Sequence, residues 1–205
     1  MPNDRTVPDR PPARTRILDA AHELMRTVGI GRATTKEIAR TADCSEAALY
    51  KYFTNKEEVF VTVLEERLPP LGPLMERLVG DPGTGEVEDN LTEIARLAAL
   101  FYEQSFPIGV SLFAEMRLKR RHDDALRQIG AGPHLLIDGL AEYLRAEQRA
   151  GRVHPDADPH SAAALLMGAC CQRAFVYDAT ESGTPPQSLD EFARSAARTL
   201  LAGLR

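Results

Sequence analysis

The chain has no tryptophan, only three cysteines, and no apolar run near the about 20 residues that a membrane-spanning helix needs. The cysteines are Cys44, Cys170 and Cys171. An odd count with one adjacent pair provides neither a disulfide framework nor a CxxC metal spacing, so reduced thiols are expected. The histidines, His22, His122, His134, His154 and His160, form no HExxH or similar ligand spacing, and neither a metal nor another cofactor is expected. No alternating apolar–polar stretch marks a strand, and no repeat period stands out. No acid, base and nucleophile converge by spacing, so an enzyme is not expected. The opening residues, MPNDRTVPDRPPARTR, lack the apolar stretch of a signal peptide, which points to the cytoplasm.

What is present fits a soluble globular protein, with 43% apolar and 27% charged residues over 205 positions. The net charge of -5 argues at first against a nucleic-acid partner. Its distribution argues the other way. Residues 1–56 hold ten Lys/Arg against seven Asp/Glu, a net of +3, and residues 57–205 carry a net of -8. A basic head on an acidic body concentrates attraction for phosphate at one end.

Apolar spacing predicts an all-α chain of about nine helices. Residues 1–13, rich in Pro, Arg and Asp, read as a disordered arm. Ile17, Ala21, Leu24 and Val28 share one face of a first helix, which Gly29 and Gly31 end. Thr34 or Thr35 caps a second helix through Ala42, with Glu37 at the capping-box position for Thr34. Ser45 caps a third helix through about Tyr52, and Asn55 a fourth from Lys56 to about Leu68. Pro69, Pro70 and Pro73 break or kink it, and Leu74–Val79 resumes it. A helix over residues 86–105 is followed by Pro107 and another to about Ile129. Loops at 130–133, 153–159 and 182–187 separate the last three, the longest over 159–180.

The segment from Thr34 to Lys56, TTKEIARTADCSEAALYKYFTNK, carries the functional signal. Two short helices joined by so brief a turn must cross steeply, as in a helix-turn-helix. Ile38, Ala39 and Ala42 form the inner face of one, and Leu49 and Phe53 that of the other. Glu46, Ala47, Ala48, Tyr50 and Lys51 are left on the outer face of the second, whose N-terminal residues suit base edges in the major groove.

The stretch from Gly29 to Phe60 resembles the DNA-binding signature of the TetR family of bacterial regulators. It supplies Gly31, Thr34, Thr35, Ile38, Ala39, Ala42, Ser45, Leu49, Tyr50, Tyr52, Phe53, Lys56 and Glu57. The resemblance implies a three-helix DNA-binding domain over residues 14–56 and a helical ligand-binding and dimerisation domain over residues 57–205. It implies that Thr35, Ser45, Tyr50, Tyr52 and Lys56 hold phosphates, while Lys36, Glu46, Ala47, Ala48 and Lys51 face the groove. Two departures bear on the operator. The turn has Asp43-Cys44 where Gly-Val is usual, and Ala47 stands where Gly or Pro is frequent. Glu46, acidic beside a polyanion, either accepts from a cytosine amino group or points away. Arg5, Arg10, Arg14 and Arg16 form either a minor-groove arm or a disordered, non-specifically attracted one.

In the body, Phe101, Tyr102, Phe106, Phe113 and Met116 on two helices, with Met167, Cys171 and Phe175 on the long one, outline either a ligand cavity or ordinary core. An apolar or aromatic effector suits that set, with Arg117 and Arg173 as polar anchors or salt-bridge partners. Leu165, Leu166 and Ala169, with Phe192, Ala196 and Leu200, resemble the family's four-helix dimer interface. The resulting expectation is a cytoplasmic homodimer at the bacterial nucleoid that represses transcription from a palindromic double-stranded DNA operator until a small molecule releases it. A ligand-independent regulator, an activator and, more remotely, a helical enzyme are the alternatives.

Overall fold

The computed structural model describes residues 10–69, 71–113, 116–128, 132–178 and 185–204. Arg5, and the parts of the expected arm and loops at 1–9, 129–131 and 179–184, lie outside them. Among the described residues there are eleven helices and no strand, and no helix is long and apolar enough to cross a membrane. The all-α expectation holds, with two more helices than the spacing predicted. The chain divides into two compact units, Met1–Arg67 and Leu68–Arg205.

The first unit contains α1 (Ala13–Thr27), α2 (Gly29–Arg32), α3 (Thr35–Thr41), α4 (Glu46–Leu49) and α5 (Lys56–Glu66). Its core collects Ile17, Leu18, Met25, Ile30, Ile38, Leu49, Val59 and Phe60, all essentially excluded from solvent. Each such side chain contributes about 1.5–3 kcal/mol of burial, and together they fix α1 against α2, α3 and α5. Gly29 ends the first helix as expected: α1 stops at Thr27, and Gly29, at φ +80°, takes the left-handed position just past the Val28 cap. Three local expectations are corrected. Gly31 does not end that helix but lies inside the one-turn α2. The capping box at Thr34 is half formed. The Thr34 hydroxyl accepts from the Glu37 amide at 3.2 Å, but the Glu37 carboxylate turns to Arg40 at 2.8 Å, a stronger, charge-assisted partner. The third helix ends at Leu49, and Lys51 and Tyr52 donate three residues back, to Ala48 and Leu49, in a tightened turn.

The second unit contains α6 (Leu71–Gly80), α7 (Val87–Phe113), α8 (Met116–Gln128), α9 (His134–Arg149), α10 (Pro159–Asp178) and α11 (Leu189–Ala202). Leu91, Ile94, Ala95, Ala98 and Ala99 make a continuous inner stripe on α7, and α10 and α11 pack along it. Pro107 does not interrupt α7 as its chemistry suggests. A mid-helix proline costs about 3 kcal/mol, and packing on both sides opposes it: Ile108 is buried and the Phe106 ring meets Phe175 edge-on at 5.4 Å. Pro73 is harmless in the first turn of α6, where backbone N–H groups have no intrahelical acceptor.

Candidate nucleic-acid interface

Ser45 caps α4 by accepting from the Ala48 amide at 3.1 Å, and Asn55 caps α5 by accepting from the Glu58 amide at 2.8 Å. These caps fix where the exposed residues between them point. Between α3 and α4, Asp43 adopts φ +50°, a left-handed conformation that asparagine and aspartate tolerate better than most residues. That geometry stands where the family usually places glycine.

The turn is held from α1. Arg16 Nε donates to the Ala42 carbonyl at 3.0 Å, and its Nη2 donates to that of Asp43 at 3.2 Å. Arg10 donates to the Asp43 carbonyl at 3.1 Å and pairs with its carboxylate. Arg14 forms a two-pronged contact with Glu66, at 2.9 and 2.5 Å, and holds that carboxyl below the usual carboxylate range. Three arginines expected as part of an arm thus brace the unit internally. For Arg10 and Arg16 the signal in the sequence is the turn itself, whose carbonyls lack helical donors; for Arg14 there is none.

Thr35, half-buried at the start of α3, lies beside α4. Its hydroxyl donates to Glu46 Oε1 at 2.5 Å and receives the Tyr50 hydroxyl at 3.5 Å. Lys36, Glu46, Ala47, Tyr50, Lys51 and Tyr52 are exposed, Tyr50 to 50%, and Ala48 is half-buried. The face expected to meet DNA is therefore open to solvent and carries lysines and hydroxyls. Lys56 is placed differently from a free phosphate-binding lysine: Nζ donates to the Ile30 carbonyl at 2.7 Å and lies 4.9 Å from the centre of the Phe60 ring.

The body residues fall into two groups. Met167 is buried and Phe101, Tyr102, Phe106 and Cys171 are half-buried, whereas Phe113, Met116, Arg117 and Phe175 are exposed. Phe113 is 70% exposed, with Lys119 Nζ 5.5 Å from its ring centre. Arg173 is buried, paired with Glu103 and stacked on Phe192 at 5.4 Å. Burial pushes the Cys170 thiol up to about 12, and its Sγ sits 3.5 Å from the Ala95 carbonyl. A thiol so raised is neutral and unreactive at physiological pH. An open groove of about 590 Å³ runs between α10 and α11. Leu165, Leu166, Ala169, Phe192, Ala196 and Leu200 all line it. Among the described residues no group of three or more His, Cys, Asp or Glu could hold a metal ion.

Residues 17–63 match the model of bacterial regulatory proteins of the tetR family, and residues 114–203 match the C-terminal domain of AefR-like transcriptional repressors. The fatty acid metabolism regulator protein of Bacillus subtilis is 30% identical over 160 residues, which take in 77% of this chain and 79% of that one. The uncharacterized HTH-type transcriptional regulator YvkB of Bacillus subtilis is 39% identical over 70 residues, only 34% of this chain and 37% of the relative. Among solved structures, the transcriptional regulator FadR from Bacillus subtilis in complex with stearoyl-CoA has a TM-score of 0.65 at 18% identity, covering 93% of this chain and 99% of that one. The chain belongs to the TetR family of bacterial regulatory proteins.

Proposed function

From that membership and the geometry of its N-terminal unit, we propose a ligand-responsive repressor that acts as a homodimer on a palindromic double-stranded DNA operator in the bacterial cytoplasm. The observation that carries the reading is the solvent-open set of Lys36, Tyr50, Lys51 and Tyr52 on the helix-turn-helix, with the half-buried Thr35 beside it. Hydroxyls and lysines of that kind bond phosphates, and the first residues of α4 suit the major groove. One such unit reads few base pairs, and two-fold pairing doubles the contacts. The apolar groove between α10 and α11 supports pairing there, since Leu165 at 68% exposure is otherwise an unfavourable surface residue.

The Leu68–Arg205 unit is the proposed effector-binding part. Phe101, Tyr102, Phe106, Met167 and Cys171, with little charge among them, suit an apolar or aromatic molecule. The name of the Bacillus subtilis relative makes a fatty-acyl chain the first class to test. Such a molecule releases DNA only by binding the DNA-incompetent state more tightly than the competent one.

Selection of genomic fragments by the purified full-length protein tests the reading. The expected result is enrichment of a palindromic site, bound by a dimer and released by one member of an acyl and aromatic panel. Enrichment without any releasing ligand overturns effector control, and no enrichment overturns DNA binding.

A further inference from the structure

Two of the hydroxyls assigned to phosphate are joined in a chain that ends on a carboxylate. The Tyr50 hydroxyl donates to Thr35 Oγ1, and the Thr35 hydroxyl donates to Glu46 Oε1. A hydroxyl has one proton to give. With its proton directed to Glu46 at 2.5 Å, Thr35 meets an approaching phosphate oxygen with lone pairs rather than a donor, while the Tyr50 hydroxyl, 3.5 Å from Thr35 Oγ1, is only loosely held. Glu46 adds a negative charge at the same place.

We infer that Glu46 couples base reading to phosphate binding, acting as the specificity-determining residue of the interface. Glu46 is the first residue of α4, the part of that helix aimed at base edges, and its side chain is exposed. A carboxylate has only acceptors, so it leaves Thr35 at low cost only for another donor. In the major groove that donor is an exocyclic amine, cytosine N4 above all. On a site presenting the amine, Glu46 turns to the base, and the Thr35 proton becomes available to the backbone phosphate. On a site presenting a carbonyl or a methyl group, Glu46 stays on Thr35. The complex then forgoes the hydrogen bond to the base and that to the phosphate together. The acid thereby penalises wrong DNA more than it rewards right DNA, a form of discrimination by repulsion.

This rests on the DNA-binding reading above, and the test separates the two. Binding of wild type, Glu46→Ala, Thr35→Val and the double variant is measured on the selected operator and on scrambled DNA of equal length. Every single base change in the half-site is included. Glu46→Ala is expected to tighten binding to scrambled DNA and to lower the operator-to-scrambled ratio about tenfold, the discrimination typical of one base contact. It is also expected to abolish the wild-type preference at one base pair. In the Thr35→Val background the tightening on scrambled DNA is smaller, because no Thr35 proton remains to be withheld and only the charge of Glu46 is removed. A general repulsion by Glu46 predicts equal tightening on both DNAs, undiminished by Thr35→Val, and that result overturns the coupling while leaving DNA binding intact. A wild-type protein that enriches no fragment overturns both. Thr35→Ser keeps the hydroxyl and is expected to behave as wild type; failure to do so overturns the hydroxyl chain.

Discussion

Arg16 Nε, from the first turn of α1, donates to the carbonyl oxygen of Ala42 at 3.0 Å, closing the end of α3 from a residue 26 positions earlier. The same guanidinium reaches the Asp43 carbonyl, so two carbonyls at the turn of the helix-turn-helix share one cation. A hydrogen bond to a charged group contributes about 1.5–3 kcal/mol. Arg16→Ala is therefore expected to lower the stability of the first unit by about 2 kcal/mol and to weaken operator binding. Arg16→Lys, with no planar fork, restores less than half. Urea unfolding checks this, and a midpoint unchanged by Arg16→Ala would mean that the brace adds nothing to stability.

Lys56 links stability to phosphate binding. Its ammonium sits between the Ile30 carbonyl and the Phe60 ring, so Lys56→Ala is expected to cost about 1 kcal/mol of unfolding free energy. It is also expected to reduce the slope of log affinity against log salt by about one for each phosphate that the lysine neutralises. A destabilised variant with an unchanged slope assigns Lys56 to holding α2 against α5, and not to DNA.

How much of the molecule is legible in its sequence differs by element. The positions of α1, α3 and α5 follow from apolar spacing and from caps that act locally, as with Thr34 and Asn55, and those of α9 to α11 from the loops that separate them. The passage of α7 through Pro107 is not legible, because the opposing term is packing of Phe106 and Ile108, which no local rule contains. At the interface, side-chain types and spacing mark Thr35, Tyr50 and Lys51. They do not reveal that the Thr35 hydroxyl is engaged by Glu46, since the two lie on different helices. The roles of Arg10, Arg14 and Arg16 are obscured for the same reason: their partners, among them Asp43 and Glu66, are distant in sequence.

Leu165 is expected to decide dimerisation. It lines the groove between α10 and α11. In a two-fold interface one substitution is present twice. Leu165→Glu buries two like charges on association, and should raise the dimer dissociation constant by at least about a hundredfold while leaving helicity intact. Sedimentation at micromolar concentration reads this directly. An unchanged dimer places the interface elsewhere.

In the second unit Glu147 is 0% exposed and is held by Arg152 at 2.6 and 2.7 Å. Arg152 also donates to the Gly85 carbonyl at 2.7 Å, tying α9 to the approach of α7. Removing the cation strands a buried carboxylate, so Arg152→Met is expected to cost about 3 kcal/mol, and adding Glu147→Leu to recover most of it. Two costs that simply add would show that the pair is not coupled.

The pH dependence of the first unit should carry the mark of His22. Burial lowers its pKa below the ordinary histidine value, with Arg26 and Arg67 acting in the same direction, and its Nε2 is buried without a hydrogen-bond partner. The folded state therefore takes up a proton less readily than the unfolded chain. Above the unfolded value of about 6.5 both states are neutral, and His22 adds no pH dependence. As pH falls below that value the unfolded chain protonates first, and stability declines until the pH passes the lower, folded value. His22→Leu removes both the unpaired nitrogen and the titration. It is expected to leave the unit as stable or more stable at pH 7.5, and to flatten the loss of stability between neutral pH and pH 5. Chemical unfolding at pH 7.5, 6.5, 5.5 and 5 compares the two proteins, and parallel curves would overturn the assignment to His22.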